Sequence, residues 1–224
     1  MRGLFVTGTD TGVGKTTVAA GLARLLRRRG RNVRVCKPVA TGAQCIGGRW
    51  ISADTIALAE AANQGGALEE VTLWTFPEPV APPVAARCHG VTLNLQAMAQ
   101  AVRGLDRPDA IVIVEGVGGL LCPLTEEATV AELAKAVGLP LLVVARRALG
   151  TLNHSVLTVE AARARELSIA GIVVNETEPC HGLAAETNVD EMRRWIDAPL
   201  LAAVPFGGDA ATALADVDWQ SLIG

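Results

Sequence analysis

Residues 8–17 read Gly8-Thr9-Asp10-Thr11-Gly12-Val13-Gly14-Lys15-Thr16-Thr17. A short apolar run, Leu4-Phe5-Val6, comes directly before them, and a helical pattern over residues 18–26 follows. A strand, a glycine-rich turn ending in Gly-Lys-Thr and a helix make a phosphate cradle. Backbone N–H groups of the turn and of the helix start face the anion. The lysine brings charge to the β- and γ-phosphates, and the first threonine hydroxyl reaches Mg²⁺. The usual motif has its first glycine at what would be position 9; Thr9 stands there, and the glycine is at Gly8. A turn that binds nothing is the competing reading. Gly-Lys-Thr-Thr at a helix start, with the strand directly upstream, argues against it.

The pattern around this turn predicts the fold. Apolar runs at residues 4–6, 33–36, 110–114, 141–145, 169–174 and 200–204 read as strands. Most are continuously apolar, as parallel strands covered on both faces are. Helical patterns lie between them at 16–29, 52–62, 95–105, 130–137, 152–167 and 188–196. This alternation predicts an α/β fold with a doubly wound, mainly parallel sheet. Function then collects where strands end and helices begin. The proline-rich segment 77–83 is expected to be a rim loop and not helix. The Ala/Asp-rich stretch 210–224 is expected to end in a short, weakly held helix.

The chain has 224 residues, half of them hydrophobic, which suits one α/β domain over 1–224 with a large core. A formal net charge of −3 provides no drive toward nucleic acid or anionic membranes. The basic run Arg27-Arg28-Arg29-Gly30-Arg31 reads as a helix C-terminus, where cations complement the dipole. Five scattered cysteines without a Cys-x-x-Cys pair speak for a reduced, cytoplasmic protein. Cys88-His89 and Cys180-His181 lack the spacing of a zinc site. Neither a signal peptide nor a membrane-length apolar run is visible.

Three charged residues at strand or helix ends complete the candidate site. Ile111-Val112-Ile113-Val114-Glu115-Gly116 carries a carboxylate to the end of a strand, where a P-loop protein holds its metal. Glycines at 116, 118 and 119 would let the backbone approach a ligand. Lys37 ends the second strand before Pro38 and would point into the same crevice. Asp54 opens a helix; alone it reads as an acid favoured by the dipole, and beside Glu115 as a second metal ligand.

Together, Gly8-Thr9-Asp10-Thr11-x-Val13-Gly14-Lys15-Thr16, Lys37-Pro38-Val39-x-Thr41-Gly42, Asp54, Glu115-Gly116-x-Gly118-Gly119 and Leu149-Gly150-Thr151-Leu152-Asn153-His154 resemble the dethiobiotin synthetase family. The resemblance runs from about residue 3 to Phe206, and the shifted first glycine is the family's form of the loop. It implies a P-loop NTPase-like fold and an ATP-dependent ring closure in biotin synthesis, from 7,8-diaminononanoate and CO₂. It assigns nucleotide contacts to Gly12, Val13, Gly14, Lys15, Thr16 and Thr17, to Asp54, Glu115, Gly116, Val117 and Gly118, and, toward the adenine, to Asn175, Glu176, Val204, Pro205 and Phe206. Mg²⁺ would sit on Thr16, Asp54 and Glu115, and catalysis would use Lys15 and Lys37. Thr11, Lys37 and Thr41 would meet the carbamate end of the substrate. Gly150, Thr151, Leu152 and Asn153 would take the carboxylate tail of the substrate held by the neighbouring subunit of a homodimer.

The chain departs from the family at three places. Gly12 replaces an acid present in some members, Val117 stands where alanine is common, and Arg146-Arg147 makes its strand end unusually basic. Two rivals share the loop. A cobyrinate-type amide synthetase would carry a glutaminase domain, for which the chain has no room. A partitioning-type ATPase switch would carry a signature lysine after the loop's first glycine, where this chain reads Gly8-Thr9-Asp10-Thr11.

Overall fold

The computed structural model describes residues 1–66 and 68–223. In chain order, β1 (Gly3–Gly8) leads through the glycine-rich turn into α1 (Lys15–Arg28) and β2 (Asn32–Cys36). Short pieces follow: β3 (Val39–Ala40), β4 (Gln44–Ile46), β5 (Arg49–Ile51), α2 (Ala53–Ala62), α3 (Leu68–Val71) and β6 (Trp74–Thr75). Next come α4 (Pro82–Cys88), α5 (Leu95–Arg103), β7 (Ala110–Glu115), α6 (Val130–Val137), β8 (Leu141–Arg146) and α7 (Thr151–Arg163). The chain closes with β9 (Ile169–Asn175), α8 (Leu183–Trp195), β10 (Leu200–Val204), α9 (Ala210–Ala213) and α10 (Trp219–Ile223).

Six strands form one sheet in the order β10-β9-β8-β1-β7-β2. Every pairing in it is parallel. Successive side chains of a strand face opposite sides, and the apolar runs obey this. Leu4 and Val6, Ile111 and Ile113, and Leu142 and Val144 join one core with α1 and α2. Phe5, Val112, Val114, Leu141, Val143 and Ala145 join the other with α5, α6 and α7. Continuous hydrophobicity in the sequence thus becomes two cores, one per face, and the expected doubly wound sheet is what forms. The chain builds β2 and β7 on one side of β1 before turning to β8, β9 and β10 on the other. That reversal puts a crevice at the carboxyl end of β1.

Two expectations need correction. Pro82 and Pro83 are the first two residues of α4, not part of a loop, and both are buried. The first turn of a helix has no use for those N–H groups, so proline is at home there. The C-terminal stretch is not weakly held: Trp219 and Ile223 are fully buried in the α1 core, and the Trp219 indole N–H donates to the Leu214 carbonyl at 2.9 Å. Gly224 lies outside the described residues. Helix bounds also move: α7 stops at Arg163, where Glu166 turns the chain with φ 59°, and α8 starts five residues before position 188, at Leu183. The β4–β5 hairpin was not among the expected strands; it turns through Gly47-Gly48, whose φ values of 58° and 79° suit a tight two-residue turn.

Replacing Trp219 by alanine removes the largest fully buried side chain from under α1. We expect a loss of about 3–5 kcal/mol in denaturant unfolding. A loss below about 1 kcal/mol would show that the C-terminal helix is dispensable.

Candidate nucleotide and carboxylate site

The glycine-rich turn is fixed by close approaches. Gly14 caps α1 with φ 89°, and a Cβ there would lie 2.0 Å from the Asn175 amide nitrogen. That nitrogen donates to the Val13 carbonyl at 3.0 Å, so the end of β9 braces the turn. A Cβ on Gly8 would lie 2.8 Å from the Val13 side chain and 3.1 Å from the Lys15 ammonium. Lys15 folds back over Gly8 and donates to the Asp10 carbonyl at 3.0 Å. The displaced glycine is therefore where the returning lysine passes.

Four polar residues meet beside the turn. Glu115 ends β7 next to Val6 of β1 and is 1% exposed. One of its oxygens, Oε1, accepts from the Thr16 hydroxyl at 2.8 Å and from the Lys37 ammonium at 2.6 Å. Lys37 also pairs closely with Asp54, which sits in the first turn of α2 behind the Ser52 cap. The second Glu115 oxygen, Oε2, is buried and has no partner among the described residues.

The charges tune one another. Burial works against the charge of Lys37, but the Glu115 and Asp54 carboxylates outweigh it and hold its pKa above the ordinary lysine value. Burial of Asp54 is likewise outweighed by Lys37, which keeps this carboxyl below its usual range. Lys15 goes the other way: burial lowers its pKa, Glu115 opposes this and Lys37 adds to it.

These groups open onto a cavity of about 620 Å³. Thr11, Gly12, Gly14, Lys15, Thr16 and Thr17 line it from the turn, together with Lys37, Thr41, Asp54, Glu115, Val117 and Gly118. Asn175 lies against the turn, and Glu176, Val204, Pro205 and Phe206 line the cavity with it. Thr177, Gly207 and Gly208 also line the cavity; the sequence assigned them no contact, although Thr177 adjoins Glu176 and both glycines follow Phe206 at the end of the last strand. A second cavity of about 350 Å³ shares Thr11 with the first and runs past Asp10, Cys122, His154 and Leu157.

A family model described as an AAA domain matches residues 2–212. The ATP-dependent dethiobiotin synthetase of Anaeromyxobacter dehalogenans (strain 2CP-C) is 46% identical over 211 residues, covering 94% of this chain and 93% of that protein. The protein of the same name from Aromatoleum aromaticum is 40% identical over 218 residues, covering 96% of each. The chain belongs to the dethiobiotin synthetase family. A ParA family ATPase from Chlorobium tepidum TLS superposes with a TM-score of 0.55 at 13% identity, covering 96% of this chain and 98% of that one. At that identity the likeness speaks for the P-loop fold alone.

Within this synthetase-family chain, six residues named from the sequence do not face the cavity. Val13 is buried and contributes only its carbonyl to the Asn175 brace. Gly116 packs into the core, where a Cβ would lie 2.8 Å from Val130 and 3.2 Å from Phe5. Gly150, Thr151, Leu152 and Asn153 open α7 beyond the second cavity and do not line the cavity of their own chain. Thr151 is buried, and its N–H is already bonded to the Ala148 carbonyl at 3.1 Å.

Gly14→Ala tests the turn. The new methyl must displace Asn175 and adopt a left-handed backbone. We expect ATP affinity, read by calorimetry, to fall about tenfold or more while the fold survives. Unchanged affinity would mean that this turn does not cradle the nucleotide.

Proposed function

We propose that this protein makes dethiobiotin from 7,8-diaminononanoate, CO₂ and ATP as a single P-loop α/β domain. The observation that carries the reading is the meeting of Lys15, Lys37, Thr16, Asp54 and Glu115 on one cavity in a chain 46% identical to a relative of that name. An amine of the diamine adds to CO₂ and loses a proton, leaving a carbamate. The carbamate oxygen attacks the γ-phosphorus and ADP departs. The second amine attacks the carbonyl of the mixed anhydride, and phosphate and a proton leave a cyclic urea.

The reaction brings two anions together, so the site must offset their repulsion. Lys15 would serve the β- and γ-phosphates from the turn, and Lys37 the carbamate and the transferring phosphoryl group. In this structure the Lys37 ammonium gives two of its three N–H groups to Asp54 and Glu115, which leaves the third for substrate. Thr11 and Thr41, both at the cavity wall, would hydrogen-bond the carbamate end. The fit to Mg²⁺ rests on oxygen chemistry: Thr16, Asp54 and Glu115 supply hard donors, and Glu115 Oε2 is buried with no partner among the described residues. Bound there, Mg²⁺ would neutralise charge on the phosphates. Asn175, with Pro205 and Phe206, would meet the adenine.

The loop of Gly150, Thr151, Leu152 and Asn153 would serve the site of a second copy in a cytoplasmic homodimer. Its surroundings support that role: Leu149 is 86%, Leu157 56% and Leu121 45% exposed, and the last two line the second cavity. Among the described residues no helix is long and apolar enough to cross a membrane.

Protein supplied with ATP, Mg²⁺, bicarbonate and 7,8-diaminononanoate is expected to release phosphate in step with dethiobiotin, and Lys37→Gln to slow this roughly 10²-fold with ATP binding kept. No phosphate above background refutes the activity; undiminished turnover of the variant removes Lys37 from it. Leu157→Glu is expected to give monomers in sedimentation with a raised KM for the diamine. A variant that remains dimeric with unchanged KM would exclude this face.

A further inference from the structure

The cavity end formed by Val204, Pro205, Phe206, Gly207 and Gly208 hangs from an edge strand. Beyond Val204 the ladder with β9 stops, because Pro205 has no N–H to donate. Gly207 takes φ 69°, and residues 205–208 are exposed. Among the described residues, two hydrogen bonds hold residues 205–208. One is internal, from the Gly208 N–H to the Pro205 carbonyl at 3.0 Å. The other runs from the Phe206 N–H to Glu176 Oε2 at 3.0 Å. Among the described residues that carboxylate is the one side chain that pins the segment to the sheet.

Glu176 is itself well held. Its N–H donates to the Val204 carbonyl at 2.9 Å, and its Oε1 accepts from the Arg147 guanidinium at 2.6 Å. The Arg147 N–H in turn donates to the Asn175 carbonyl at 3.0 Å. Asn175 reaches the other way, to the Val13 carbonyl of the phosphate turn. Two adjacent residues at the end of β9 thus hold different parts of the cavity wall, Asn175 the phosphate turn and Glu176 the Pro205–Gly208 segment.

The geometry points to Glu176 as a positioning residue for nucleobase binding, acting through the Phe206 N–H and the Arg147 ion pair and not by contact with the base. This deepens the proposed function and rests on its reading of that cavity end as the base site. Without the carboxylate, the Pro205–Gly208 segment keeps only its internal bond, and a nucleotide must order it on binding. The cost falls on the base and not on the phosphates, which the glycine-rich turn holds.

The test compares ATP with inorganic tripolyphosphate by calorimetry, on the wild-type chain, Glu176→Ala and Glu176→Gln, with no diamine present. Glu176→Ala is expected to weaken ATP roughly tenfold or more, the scale of a lost charge-assisted hydrogen bond, and to leave tripolyphosphate unchanged. Glu176→Gln keeps an acceptor for the Phe206 N–H and is expected to recover most of that loss. In turnover, Glu176→Ala should raise KM for ATP with kcat kept. Equal losses of ATP and tripolyphosphate, unchanged ATP affinity, or a glutamine variant as weak as the alanine would each overturn the inference. If the wild-type chain binds ATP no tighter than tripolyphosphate, the base-site reading itself fails. Failure of dethiobiotin synthesis leaves this binding result untouched.

Discussion

A buried carboxylate has to be paired, and much of this site follows from pairing Glu115. The end of β7 carries it to a place with 1% exposure, beside the central strand. Removing such a charge from water costs several kcal/mol unless partners compensate. The ammonium of Lys37 and the hydroxyl of Thr16 supply that compensation on one oxygen. Asp54 then shares Lys37, and the second Glu115 oxygen is left buried with no partner among the described residues. A purely structural ion pair has little reason to leave a buried carboxylate oxygen without a partner. A site that takes a cation and a phosphate does.

The same economy of space governs the phosphate turn. Gly8 leaves room for the lysine that folds back over it, and Gly14 leaves room for Asn175. The turn is therefore braced from β9, the strand that also carries Glu176 to the Pro205–Gly208 segment. Parallel strands deliver all these groups to one edge of the sheet, which is why so few residues suffice to build the site.

Most of this was visible in the order of residues. Continuous apolar runs predicted buried parallel strands, and their alternation between two cores bears this out. The residues at the strand ends, from Thr11 to Phe206, largely reach the expected cavity. What escaped were features governed by distant contacts. Proline chemistry alone could not tell a rim loop from the buried first turn of α4. The Ala/Asp-rich tail gave no hint that Trp219 fills the space under α1.

By itself the sequence determined the alternation of strands and helices, the phosphate turn, the membership of the family and the set of polar residues at the strand ends. These are local or repetitive properties, set by side-chain periodicity and motif spacing. Only the tertiary structure decided that Lys37 bridges Asp54 and Glu115, that Gly116 belongs to the core, that Gly150, Thr151, Leu152 and Asn153 stand away from their own cavity, and that Glu176 holds Phe206. Each of these joins segments far apart in the chain. Which partner a buried charge or an open N–H finds depends on how the sheet brings those segments together.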